Sequence, residues 1–132
     1  MCALDYDDHE YLIEKGFLLN KVFRYEEAIS FYDKALKIKP DDYVSMRLKG
    51  MCLNYLYKFE EAIECYDKAL KIKLDDYDSL LGKSVCLSNL TRYEEADVCL
   101  EQANKIKPKN YNYFIKKSKY GGSLELELGK KV

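Results

Sequence analysis

Apolar residues recur along the chain at helical spacing, in blocks separated by short polar breaks. Leu12, Gly16 and Leu19 share one helix face, and Ala28, Tyr32, Ala35 and Leu36 share another. That three-and-four spacing is the mark of an amphipathic helix. The breaks carry start and stop signals. Asp7-Asp8, Asp41-Asp42 and Asp75-Asp76 each precede a block and offer N-cap carboxylates to the orphan N–H groups of the helix that follows. Glu26-Glu27 and their later copies open the next helix with negative charge, and Lys37 and Lys39 close it with positive charge, as the helix dipole favours. Pro40 and Pro108 then end the ladder, because proline has no N–H to donate. Leu74 takes that place in the middle of the chain, where the stop falls to Asp75-Asp76. The pattern predicts helices over residues 8–21, 25–39, 43–56, 59–73, 77–90, 93–107 and 111–119.

The blocks repeat. Tyr25-Glu26-Glu27-Ala28-Ile29 returns 34 residues later as Phe59-Glu60-Glu61-Ala62-Ile63, and 34 later again as Tyr93-Glu94-Glu95-Ala96-Asp97. Residues 25–42 and 59–76 differ at only four of 18 positions: Tyr25/Phe59, Ser30/Glu64, Phe31/Cys65 and Pro40/Leu74. The same period relates Gly16, Gly50 and Ser84, then Ala35, Ala69 and Ala103, then Ile38, Ile72 and Ile106. A single two-helix unit cannot bury its apolar face, so neighbouring units stack to make the core. The division is a lead-in over 1–8, units over 9–42, 43–76 and 77–110, a capping helix over 111–120, and an unstructured tail over 121–132.

These residues resemble the tetratricopeptide repeat. The first unit matches its pattern with Leu12, Lys15-Gly16, Leu19, Ala28, Tyr32 and Pro40. The second matches with Met46, Lys49-Gly50, Leu53, Ala62, Tyr66 and Leu74, and the third with Leu80, Lys83-Ser84, Leu87, Ala96, Leu100 and Pro108. Departures are the missing Trp, Lys where Leu is usual, and Leu100 where an aromatic is usual. A lysine stem lies along apolar surface with its ammonium in water. Phe114 and Ser118 fit the opening helix of a fourth unit, which in this family commonly covers the end of the array. The implied fold is an all-α, right-handed solenoid of three helix-turn-helix repeats plus a C-terminal capping helix.

The resemblance also implies an interaction scaffold whose first helices line a concave groove. Beyond the core positions, these helices carry Ile13 and Phe17, Met51 and Tyr55, Leu81 and Val85, each an i,i+4 ridge. Stacked, the ridges make an apolar strip rimmed by Asn20, Arg47, Asn54 and Asn89, the form of an interaction surface. The alternative is that these residues thicken the core between repeats or lie under the tail. Some family members clamp the carboxylate tails of chaperones with Lys, Asn and Arg. The corresponding positions here are Ile13, Phe17, Leu48, Asp78 and Gly82, which supply no cation. The expected occupant is an apolar peptide or amphipathic helix.

Composition narrows the remaining classes. Hydrophobic residues make up 48% and charged residues 34%, with 6 Gly and 2 Pro, which excludes collagen-like and low-complexity chains. Twenty-two basic residues meet 23 acidic ones for a net charge of −1, so no generic attraction to nucleic acid or anionic membrane follows. The lysines at 34, 37 and 39 and their copies are balanced by Asp33–Lys37, Asp67–Lys71 and Glu101–Lys105 at i,i+4, reading as a solvated outer face. No apolar run reaches the length of a membrane span, and no signal peptide precedes the first block. Cys2, Cys52, Cys65, Cys86 and Cys99 form no CxxC pair, which points to reduced thiols in the cytoplasm. Cys52 and Cys86 are 34 apart, as are Cys65 and Cys99, so they fill repeat positions. With His9 alone, neither a zinc site nor a nucleophile–base pair assembles. The sequence nominates no catalytic residue, metal or cofactor, and expects a protein or peptide partner or pairing with another copy. After Gly121-Gly122, Ser123-Leu124-Glu125-Leu126-Glu127-Leu128 alternates with period two, a strand pattern without an evident partner strand.

Overall fold

The structure, a computed structural model, describes residues 8–106, 113–116 and 125–128. Its helices are α1 (Asp8–Lys21), α2 (Tyr25–Ile38), α3 (Tyr43–Tyr55), α4 (Phe59–Ile72), α5 (Tyr77–Asn89) and α6 (Tyr93–Ile106). Each helix packs against the next in sequence, so the six form three hairpins stacked in chain order. The first helices also meet one another, α1 with α3 and α3 with α5, whereas α2 and α4 touch only their sequence neighbours. The stack therefore curves, with α1, α3 and α5 on its inner wall. This is the all-α tetratricopeptide-like solenoid that the repeat implies.

Small residues set how closely the helices approach. Ala28, Ala35, Ala62, Ala69 and Ala103 are fully buried, as are the rings of Tyr32 and Tyr66. A Cβ on Gly16 would lie 2.6 Å from the Tyr32 ring, and one on Gly50 would lie 3.0 Å from the Tyr66 ring. Ser84 replaces glycine in the third repeat, where Leu100 replaces the tyrosine. The two departures go together: without the ring there is room for a side chain, and Ser84 Oγ donates to the Leu81 carbonyl at 2.7 Å.

Ion pairs tie the repeats to one another. Lys49 Nζ meets Asp33 Oδ1 at 2.7 Å, and Lys83 Nζ meets Asp67 Oδ1 at 2.6 Å. The lysines that replace the usual leucine thus reach the preceding second helix. The carboxylates of Asp33 and Asp67, expected to serve Lys37 and Lys71 along their own helix, are drawn across to the next one. Asp42 caps α3, accepting from Val44 N at 3.3 Å and Ser45 Oγ at 2.5 Å, and it also meets His9 Nε2 at 2.8 Å. Asp76 holds the same place before α5, where it accepts from Ser79 Oγ and from Arg47.

Two residues past the end of each first helix the backbone takes a positive φ: Phe23 at 64°, Tyr57 at 61° and Thr91 at 61°. The following N–H reaches back to the helix, as in Arg24 N to the Leu19 carbonyl at 2.9 Å, a closure that usually employs glycine.

The end of the chain departs from expectation. Of the predicted capping helix over 111–120, the described residues are Tyr113–Lys116, and they form a strand, β1. It pairs antiparallel with β2 (Glu125–Leu128), with Tyr113 opposite Leu128 and Ile115 opposite Leu126. Aromatic and β-branched residues favour a strand, and the alternating segment after Gly122 supplies the partner. Part of the tail expected to be unstructured therefore contributes β2; the remainder, residues 121–124 and 129–132, lies outside the described residues.

Candidate functional site

The inner wall carries the ten candidate binding residues. Ile13 on α1 and Met51 on α3 are half-buried and pack against one cluster that includes Leu48 and Cys52. The structure thus brings the first two ridges onto common ground. Leu81 on α5 is also half-buried and packs against a second cluster with Tyr77 and Leu80. These three residues support the core as well as facing the wall. Val85 is half-buried, as are Asn20 and Asn54, and Asn89 is exposed.

Phe17 and Tyr55 stand out further, 43% and 55% exposed. Lys21 Nζ lies 5.0 Å over the Phe17 ring, and Tyr55 stacks on Tyr25 with ring centroids 4.9 Å apart and planes 9° from parallel. Tyr25 belongs to α2, so Tyr55 sits where the wall meets the turn edge. An aromatic ring held by a stacked neighbour offers a large apolar face at little entropic expense.

Arg47 has a different duty from the rim position expected of it. Its Nη1 donates to both carboxylate oxygens of Asp76, at 2.9 and 3.2 Å. Asp76 is almost wholly buried and immediately precedes α5, so the guanidinium ties α3 to the start of α5. The sequence signal was present but silent: Arg47 stands where the other repeats carry Ile13 and Leu81, yet nothing local identifies Asp76 as its partner.

The positions that the resemblance matches to a carboxylate clamp carry no cation here, and two of them are filled or buried. Leu48 is buried, and the space beside Gly82 is filled by Tyr66, whose ring would lie 2.4 Å from an added Cβ. Asp78 adds negative charge. A hollow of about 390 Å³ lined by Leu70, Leu74, Leu80, Gln102, Lys105 and Ile106 includes none of the candidate residues.

The thiols are poorly suited to chemistry. Burial pushes Cys52 and Cys86 up to about 12, and it also raises Cys65 and Cys99. The thiolate is the reactive form, and these groups hold their protons at neutral pH.

A family model described as the Psidin N-terminal TPR repeats region matches residues 21–117. No curated protein matches the chain. Among solved structures, the TPR domain of Arabidopsis OM64 aligns with a TM-score of 0.74 and 24% identity, covering 77% of this chain and 84% of that one. The first TPR of Spaghetti (RPAP3), bound to the HSP90 peptide SRMEEVD, gives 0.76 and 24%, covering 82% and 86%. The TPR2B domain of yeast Sti1, in a complex with pHsp70, gives 0.73 and 20%, covering 75% and 79%. At these identities the likeness is one of fold.

Proposed function

The chain belongs to the tetratricopeptide-repeat family, and from that premise we propose that it is a non-catalytic scaffold for protein–protein interaction. Its repeats run over 9–42, 43–76 and 77–110, and the groove of α1, α3 and α5 holds an apolar peptide or amphipathic helix. One observation carries this reading. The helices of the inner wall bear apolar side chains beyond those the core consumes, with Phe17 and Tyr55 well exposed beside half-buried Ile13, Met51, Leu81 and Val85. An apolar strip with a polar border is what a partner covers.

The occupant differs from the acidic HSP90 peptide SRMEEVD bound in the RPAP3 structures. Ile13, Phe17, Leu48, Asp78 and Gly82 provide no cation to pair with carboxylates, and charge-assisted pairing is what such recognition uses. The balanced charge and free thiols support a cytoplasmic protein whose partner is a protein or peptide, without nucleic acid, membrane or cofactor.

The test uses a photo-crosslinking amino acid placed at Phe17 or Met51 of the full chain, with the same group at Lys37 on α2 as comparison. Crosslinks to a partner from the inner-wall positions alone support the groove. Equal crosslinking from Lys37, or from none of the three, contradicts it. Crosslinks only to further copies of this chain replace the reading with self-assembly.

A further inference from the structure

Each internal first helix receives the preceding repeat's second helix on one face. On α3 that face carries Ser45, Lys49 and Cys52; both Ser45 and Cys52 are 0% exposed, and Lys49 reaches Asp33 of α2. On α5 the same face carries Ser79, Lys83 and Cys86; Ser79 and Cys86 are buried alike, and Lys83 reaches Asp67 of α4. The residues 34 positions earlier on α1 are Tyr11, Lys15 and Leu18, followed by Val22 one turn on. Here Tyr11 is 43% exposed, Leu18 59% and Val22 58%, and the Lys15 Nζ lies over the Tyr11 ring at 5.9 Å. Among the described residues, no helix covers this stripe.

We propose that this face of α1 is a second docking site, separate from the groove, and that it takes an amphipathic helix of another protein. That helix presents an acidic residue to Lys15 and a small apolar residue to Leu18. The chain displays the chemistry twice. In α2 and α4, an isoleucine (Ile29, Ile63) precedes the pairing aspartate (Asp33, Asp67) by one turn and shares a core cluster with the cysteine it meets. Leucine replaces that cysteine on α1, so the incoming residue must be smaller than isoleucine to keep the same volume at the joint.

A second copy is a poorer occupant. The helix it would bring is α6, where Asp97 replaces Ile29 and Ile63 and Asn104 replaces Leu36 and Leu70. At these two positions α6 is polar where α2 and α4 are apolar. Charge complementarity with Lys15 and the apolar stripe at Leu18 and Val22 select the partner.

The test employs a hydrocarbon-stapled, dye-labelled peptide with the sequence of residues 59–72 carrying Ile63→Ala, titrated with the full chain and read by fluorescence anisotropy. Binding is expected, weakened roughly tenfold or more by Lys15→Glu. A peptide that also carries Asp67→Lys should reverse that preference and favour the Lys15→Glu chain, a rescue that loss of folding cannot imitate. The proposal is overturned if no peptide binds, if Lys15→Glu leaves binding unchanged, or if the charge reversal gives no rescue. Binding lost in Met51→Glu but kept in Leu18→Glu moves the peptide to the groove and overturns it as well. A mass that doubles with concentration, and stays single in Leu18→Glu, makes a second copy the occupant and overturns the choice of partner.

Discussion

At the scale of single residues, the repeat is held by pairs whose sizes are matched. Tyr32 fills the space that Gly16 leaves, and in the third repeat Leu100 and Ser84 stand at the corresponding positions. Gly16→Ser alone should destabilise the chain by about 1–3 kcal/mol through overpacking. Combined with Tyr32→Leu, the serine should cost less, giving a coupling of about 1 kcal/mol or more in a double-mutant cycle from urea unfolding. Additive losses would mean that the pairing in the third repeat has no steric basis. The buried thiols and phenols make a second prediction. Cys52 and Cys86 titrate near 12 in the folded chain against 9.0 for the ordinary thiol, and Tyr66 is raised well above 10.0. A raised folded value means that stability is fully present below the unfolded pKa and lost as pH climbs through the folded one. Cys52 and Cys86 should therefore each remove about 1.4 kcal/mol per pH unit between roughly 9 and 12, and Tyr66 adds to the loss once the pH passes the ordinary phenol value. Thermal melts from pH 8 to pH 11 check this, and a flat melting temperature over that range would contradict it.

At the scale of elements, helix ends and contacts between repeats divide into what is locally encoded and what is not. The six described helices agree with the sequence-based ranges to within one residue at each boundary, because the start signals recur with the 34-residue period and the stops do so with one exception, Leu74. The turn geometry was not legible. Phe23, Tyr57 and Thr91 occupy a left-handed conformation with no glycine to advertise it. Thr91→Gly should remove backbone strain from the α5–α6 turn and raise stability by about 1 kcal/mol, a rise of a few degrees in Tm by circular dichroism. The clasp of Arg47 on Asp76 was equally hidden, since the partners are 29 residues apart and only the stack brings them together. Arg47→Ala strands a buried carboxylate that keeps the hydrogen bond from Ser79 Oγ. The expected loss is about 3 kcal/mol, measurable by urea unfolding before any binding assay. A loss below about 0.5 kcal/mol would return Arg47 to the groove rim.

At the scale of the whole molecule, the stack of three helix hairpins could be read from the 34-residue period, whereas the inner wall came from the family resemblance that the repeats carry. The fourth helix could not be read from the period. Extending the period over 111–119 borrows a rule from the repeats, but Tyr113–Lys116 have a competing partner in Glu125–Leu128. Four residues are too few for helical and strand spacing to be told apart from apolar pattern alone. The division of labour among the candidate residues was not legible in the sequence: Ile13, Met51 and Leu81 lean on the core, while Phe17 and Tyr55 project. The most direct test of the central claim is affinity capture from lysate of the source cells, comparing the native chain with Phe17→Glu, Met51→Glu, Val85→Glu combined. A control chain carries Ser30→Glu, Lys34→Glu and Lys37→Glu on the outer α2, and circular dichroism verifies that all three chains are helical. The account predicts proteins captured by the native and control chains and lost by the inner-wall variant. The same captured set on all three chains would contradict it.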